Sequence, residues 1–215
     1  MDSLFSPIGI ATIGILVYSA ILHEIAHGYV AGKLGDPTAR LLGRLTLDPR
    51  PHIDPFLSLI LPLLLFLSNT GIIFGGAKPV PVDSFNLKDG RKDIALVSLA
   101  GPATNIALVI VATILFKLLN GNYQGNLGIL VIFLGLIIKV NLSLAIFNLL
   151  PIPPLDGSKI FALILPEKIA DSYLSLSSIG TLLLLVFLMF PIGGFSLMSL
   201  VSVVYTFCLH MLGLV

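Results

Sequence analysis

Cysteine occurs once, at Cys208, which excludes an intramolecular disulfide and cysteine-rich zinc sites. Its expected role is that of a buried small hydrophobe. Charge is scarce as well. Asp, Glu, Lys and Arg make up 11% of the 215 residues, against about 25% in a soluble globular domain. A net charge of +1 leaves no basic footprint for nucleic acid. There is no internal repeat, no low-complexity tract and no appended soluble domain. The N-terminus lacks the basic region of a cleavable signal peptide, and the first apolar stretch is too long for one. What remains is grease: 56% of residues are hydrophobic and the mean hydropathy is +1.05. These values predict an integral membrane protein.

Apolar runs suited to spanning helices cover Ile8–Gly32, Ile94–Leu119, Leu127–Leu150, Leu174–Phe190 and Phe195–Val215. A sixth run, Pro55–Phe74, is broken by Pro62 and by Ser68-Asn69-Thr70-Gly71. The predicted fold class is an all-α polytopic membrane protein of about five to six transmembrane helices, with a re-entrant or β-like segment between the first two long ones. Basic residues collect in residues 33–53, 77–92 and 151–173 and are missing from Asn120–Asn126. If those basic loops are cytoplasmic, the N-terminus lies outside, the C-terminus inside, and Pro55–Phe74 dips in and returns. One full crossing against the charge rule is the alternative.

The first run carries His23-Glu24-Ile25-Ala26-His27. On a helix His23 and His27 lie one turn apart on one face, so both imidazoles can reach a single metal ion. Glu24 beside them is free to work on a metal-bound water as general base. His23 sits about 22 Å along a helix beginning near Ile8, and titratable groups at that depth are expensive enough to read as functional. A catalytic zinc needs a third protein ligand. After the third long run comes Asn148-Leu149-Leu150-Pro151-Ile152-Pro153-Pro154-Leu155-Asp156-Gly157, in which the prolines end the helix and stiffen the chain ahead of Asp156. Asp156 is either that ligand, with Gly157 turning the chain behind it, or the cap of a short helix starting at Ser158.

The two motifs together resemble the site-2 protease family of intramembrane zinc metalloproteases. The likeness extends to Gly101-Pro102-Ala103-Thr104-Asn105, to Leu42-Gly43-Arg44-Leu45-Thr46 and to Ala77-Lys78-Pro79-Val80-Pro81-Val82. It implies one zinc ion per chain held by His23, His27 and Asp156, with Glu24 as catalytic base and Asn148 and Pro154 as further motif residues. It also implies a single metalloprotease domain over residues 1–215, with a catalytic core of about 8–157 and C-terminal helices over about 174–215. Neither a PDZ nor a CBS domain is present, as in the minimal form. The implied substrates are single-span membrane proteins, such as anti-sigma factors or signal-peptide remnants. The implied location is a prokaryotic plasma membrane, with the active site towards the cytoplasm, membrane lipid around it and a regulatory membrane protein as a further partner.

Other polar residues are read from their positions. Asn141 and Asn148 lie seven residues apart on one helix face and, with Thr104 and Asn105, either line a hydrated cavity or bond helix to helix. In the first reading Asn148 positions substrate or oxyanion, as a catalytic residue. Lys139 lies near mid-helix with no partner evident in the sequence. Residues 75–82 are either an extended edge that receives an unwound substrate as an added strand or a plain loop. His52 is either metal-proximal or an interfacial loop residue, and His210 is structural. A metal or ion transporter using the same His/Glu/Asp cluster is the competing function, disfavoured by the absence of repeated halves and of a second ligand cluster.

Overall fold

The computed structural model describes residues 6–55, 77–119, 125–189 and 196–214. Helix α1 (Pro7–Leu34) starts where the Ser6 hydroxyl accepts the Gly9 amide at 3.1 Å and Pro7 takes a position that needs no N–H. It stops at Gly35, whose φ of 119° is left-handed and whose N–H bonds the Ala31 carbonyl. There follow α2 (Thr38–Leu41), α3 (Gly90–Leu118), α4 (Gly125–Asn148), α5 (Asp156–Ala162), α6 (Glu167–Ser175), α7 (Ser177–Met189) and α8 (Leu197–Met211). Single 3-10 turns occur at Arg50–His52 and Ser84–Asn86. No strand occurs among the described residues, so the all-α expectation stands and residues 77–82 are loop. The broken run Pro55–Phe74 lies, apart from Pro55, outside the described residues.

Three helices, α1, α3 and the Leu127–Asn148 stretch of α4, are long and apolar enough to cross a membrane. The C-terminal runs differ from expectation. Leu174–Phe190 does not form one straight helix: it divides between α6 and α7, which bend by 64° at the intervening break. The hydroxyls of Ser172, Ser175 and Ser178 donate to the carbonyls of Lys168, Ser172 and Ser175 around that break, and such local bonding bends helices. Helix α8 has 15 residues. That is about 22 Å of helix against a hydrocarbon core of about 30 Å.

Helices α1, α3 and α4 pack on one another, and α8 leans on α4. Val109 and Ala112 of α3 meet Leu134, Ile138, Leu142 and Ile146 of α4, and Val201, Tyr205 and Cys208 of α8 close over them. Cys208 therefore packs as the expected small hydrophobe, though only half buried. A second cluster joins Leu150 and Leu155 to Leu184, Leu188 and Leu197. It pins the turn after α4, and with it the start of α5, beneath the bundle. Ile110, Ile114, Ile129 and Leu130 stay exposed on the outer faces of α3 and α4, where they are suited to lipid contact.

Candidate metal centre

Helical periodicity places His23 and His27 on one face of α1, and their rings meet edge to face with centroids 4.6 Å apart. Each ring is fixed from behind by α3. His27 Nδ1 lies 2.7 Å from the Val97 carbonyl oxygen; a carbonyl only accepts, so Nδ1 carries the proton. His23 Nδ1 lies 2.6 Å from Asn105 Oδ1. The orientation of that amide is fixed by a chain ending on the backbone. Asn141 Nδ2 donates to the Ile137 carbonyl at 2.9 Å, which turns Asn141 Oδ1 to accept from Asn105 Nδ2, also at 2.9 Å. Asn105 Oδ1 is then left for His23 Nδ1–H. Both rings thus turn Nε2 to the same point, and a neutral imidazole with its proton on Nδ1 offers the Nε2 lone pair there.

Asp156 reaches that point from the far end of the chain. Its Oδ2 lies 3.1 Å from His23 Nε2 and 3.2 Å from His27 Nε2. Two ring nitrogens and a carboxylate oxygen converge here, a donor set that could hold a metal ion. The spacing suits zinc: two ligand atoms about 2.1 Å from a tetrahedral ion stand about 3.4 Å apart. The other carboxylate oxygen, Oδ1, is 3.7 Å from Lys159 Nζ. All three side chains are buried, and among the described residues no other group of three or more His, Cys, Asp or Glu could hold a metal. Of the two readings of Asp156, the cap fails, since α5 begins at Asp156 itself without a side-chain cap bond. Gly157 is helical rather than a turn residue. A Cβ on it would lie 2.2 Å from the Leu149 carbonyl oxygen, so its role is to let α5 abut the end of α4.

Glu24, half buried, accepts the Val80 amide on Oε2 at 2.7 Å. The loop that supplies this donor is fastened on both sides. Lys78 N–H donates to the His52 carbonyl at 2.7 Å, and the Lys78 carbonyl accepts from Arg44 Nη2 at 2.8 Å. Beyond Val80, Asp36 accepts the Asp83 amide at 2.8 Å and Asn86 Nδ2 at 3.0 Å, together with the Thr38 amide and hydroxyl. Burial pushes the Asp36 carboxyl up, but hydrogen bonds from Thr38, Asn86 and Asp83 outweigh it and hold the group below its ordinary value. Gly28 lets this layer lie flat on α1, since a Cβ there would fall within 2.9 Å of Leu45, Ala39 and Val80.

Other residues fall elsewhere. Asn148 donates to the Leu144 carbonyl of its own helix at 3.0 Å. Asn105 and Asn141 are buried between helices; they bond helix to helix and, through that bond, orient His23. His52 is buried in the loop layer, its Nε2 3.0 Å from the Thr46 carbonyl, and is not one of the clustered ligands. Gly101 has a role that spacing does not reveal. A Cβ on it would lie 2.5 Å from His23 Nε2 and 2.6 Å from His27 Cε1, so its bare backbone is what admits α3 to the imidazoles. The available signal is a glycine followed by Pro102 inside a helix, two residues that weaken a helix unless close approach demands them.

Comparison with known proteins finds a peptidase family and relatives named as zinc metalloproteases. The profile of Peptidase family M50 matches residues 122–191, which include Asp156 but not the His23–His27 motif. A Bacillus subtilis (strain 168) protein named "Putative zinc metalloprotease YwhC" is 36% identical over 191 residues, 87% of this chain and 84% of that protein. "Putative zinc metalloprotease Rip2" of Mycobacterium tuberculosis (strain H37Rv) is 40% identical over 139 residues, and the match spans 65% of this chain but only 51% of Rip2. "Putative zinc metalloprotease MJ0611" of Methanocaldococcus jannaschii is 33% identical over 143 residues, 65% of this chain and 63% of that protein. No solved structure matches.

Proposed function

This chain belongs to Peptidase family M50, the site-2 protease family, and from that premise we propose that it is an intramembrane zinc endopeptidase cutting single-span membrane proteins. The observation that carries the reading is the meeting of two Nε2 atoms and a carboxylate oxygen at 3.1 and 3.2 Å, 133 and 129 residues apart in sequence. His23, His27 and Asp156 would hold one zinc ion. When bound, zinc supplies an acidified water and a Lewis acid for the scissile carbonyl. Glu24 would serve as general base and hand the proton it accepts to the leaving amine nitrogen, while the Val80 amide fixes its carboxylate. Asn105 and the Val97 carbonyl hold the two imidazoles in the tautomer that leaves Nε2 for the metal. Asn148, at the end of α4, is assigned to substrate positioning on motif resemblance alone.

The topology belongs to the same proposal. The bent α6–α7 pair serves as a fourth crossing and α8 as a fifth. The N-terminus faces out, and the site opens to the cytoplasm of a prokaryotic cell. The basic loops following α1 and preceding α3 support this orientation. Residues 1–215 form one metalloprotease domain with its core over about 8–157. A transporter needs a site that passes its ion onward, and among the described residues the His/His/Asp cluster has no second ligand group beside it. The decisive variant is Glu24→Gln. It should keep one zinc per chain and lose about 10²–10⁴-fold in cleavage of a co-reconstituted single-span protein. Cleavage at the wild-type rate would remove Glu24 from its role.

A further inference from the structure

Lys139 is left over by everything above. It lies 12 residues from Leu127 and 9 from Asn148 within the most apolar span, about 18 Å and 14 Å from its two ends. Its side chain is exposed and enters none of the ion pairs among the described residues. A helical side chain leans towards the helix N-terminus, so the Lys139 stem leads towards the farther end of the span rather than the nearer one. A lone ammonium there is expensive unless paired.

Among the described residues no acid pairs it. Of the 11 Asp and Glu residues, Glu24 is held by Val80, Asp93 accepts the Asp89 amide at the first turn of α3, and Asp156 belongs to the metal centre. All the others lie outside the three spans, and Asp2, the one acid beyond the described residues, precedes α1. A second copy would bring a second lysine and no acid at this depth.

Lys139 also continues a helix face that lines a groove. Leu136 and Ile132, three and seven residues before it, share its helix face. With Pro7 and Ala11 of α1 they line an apolar cleft of about 250 Å³ between α1 and α4. Gly14, one turn on from Ala11, is exposed and has open space where a Cβ would be. Small residues of this kind let another helix approach closely.

We propose that this cleft docks a membrane-spanning helix of another protein that carries an Asp or Glu near mid-bilayer, with Lys139 as the recognising charge. A partner carboxylate is as costly alone in lipid as the lysine, so pairing relieves both. The proposal does not depend on proteolysis, because binding is read without cleavage and either can fail alone. The test uses the full chain in phosphatidylcholine vesicles and a fluorescent 22-residue Leu/Ala helix with one central Glu, compared with its Gln counterpart by energy transfer. The wild type should bind the Glu peptide at least tenfold more tightly. Lys139→Met should erase that preference, Lys139→Glu should shift it to a peptide with central Lys, and Gly14→Leu should weaken Glu-peptide binding. The zinc content of each variant, unchanged, shows that it is folded. Equal binding of the two peptides by the wild type, a Glu preference that survives Lys139→Met, or Gly14→Leu binding like the wild type overturns the proposal. So does displacement of the peptide by anionic lipid, or by self-association of the chain.

Discussion

At the scale of single residues, the proposed metal centre would depend on side chains that are not among its three candidate ligands. Asn105 sets the His23 tautomer, and its own orientation is dictated through Asn141 by one backbone carbonyl. Asn105→Ala should therefore lower zinc affinity about 10–100-fold, as loss of an outer-shell partner does, while leaving the three ligands in place. Competition with a chelator of known affinity measures it; an unchanged affinity would mean that α1 alone orients the ring. HExxH was legible because two histidines four apart share a face whatever surrounds them. The Asn105–Asn141 pair was visible only as polarity on two helices. Nothing in either segment's period says which residue of one meets which residue of the other. Gly101 was harder still, since its meaning lies in what it lacks against imidazoles more than seventy residues earlier in the chain.

At the scale of elements, the loop layer on α1 is what connects Glu24 to the rest of the molecule. Pro79 and Pro81 have no N–H, so Val80 is the one donor in that tripeptide, and it is committed to Glu24. Val80→Pro removes the donor but keeps an extended backbone, whereas Val80→Ala retains it. The proline variant should lose about 10–100-fold in kcat at unchanged zinc content, the worth of a hydrogen bond to a charged group, and the alanine variant should stay near wild type. Equal rates would show that Glu24 is placed without the loop. Asp36 fastens the same layer, and its titration has a definite sign. Its carboxyl is held below the unfolded value of 3.8. The stability it contributes is therefore present above that pH and is lost as pH falls through the lower folded value. Thermal melting of the solubilised protein should show Asp36→Asn less stable at neutral pH, with the gap narrowing as pH drops below about 4; a gap independent of pH would contradict the assignment. The C-terminal elements were the least legible. Hydropathy counted Leu174–Phe190 as one span because it sums apolar side chains, and the serine hydroxyls that turn back on the backbone near Leu176 do not enter such a sum.

At the scale of the whole molecule, the packing of α5 on α3, whose other face meets α1, brings residue 156 to the proposed site begun at residue 23. The second core cluster around Leu155 and Leu184 and the close approach at Gly157 fix that meeting. The central claim, coordination by a distant carboxylate, can be read directly from zinc K-edge X-ray absorption of the purified chain and of Asp156→Cys. The wild type should show only nitrogen and oxygen neighbours at about 2.0–2.2 Å, and the cysteine variant should gain one sulfur at about 2.3 Å. A zinc-loaded Asp156→Cys protein whose shell contains no sulfur would contradict the account.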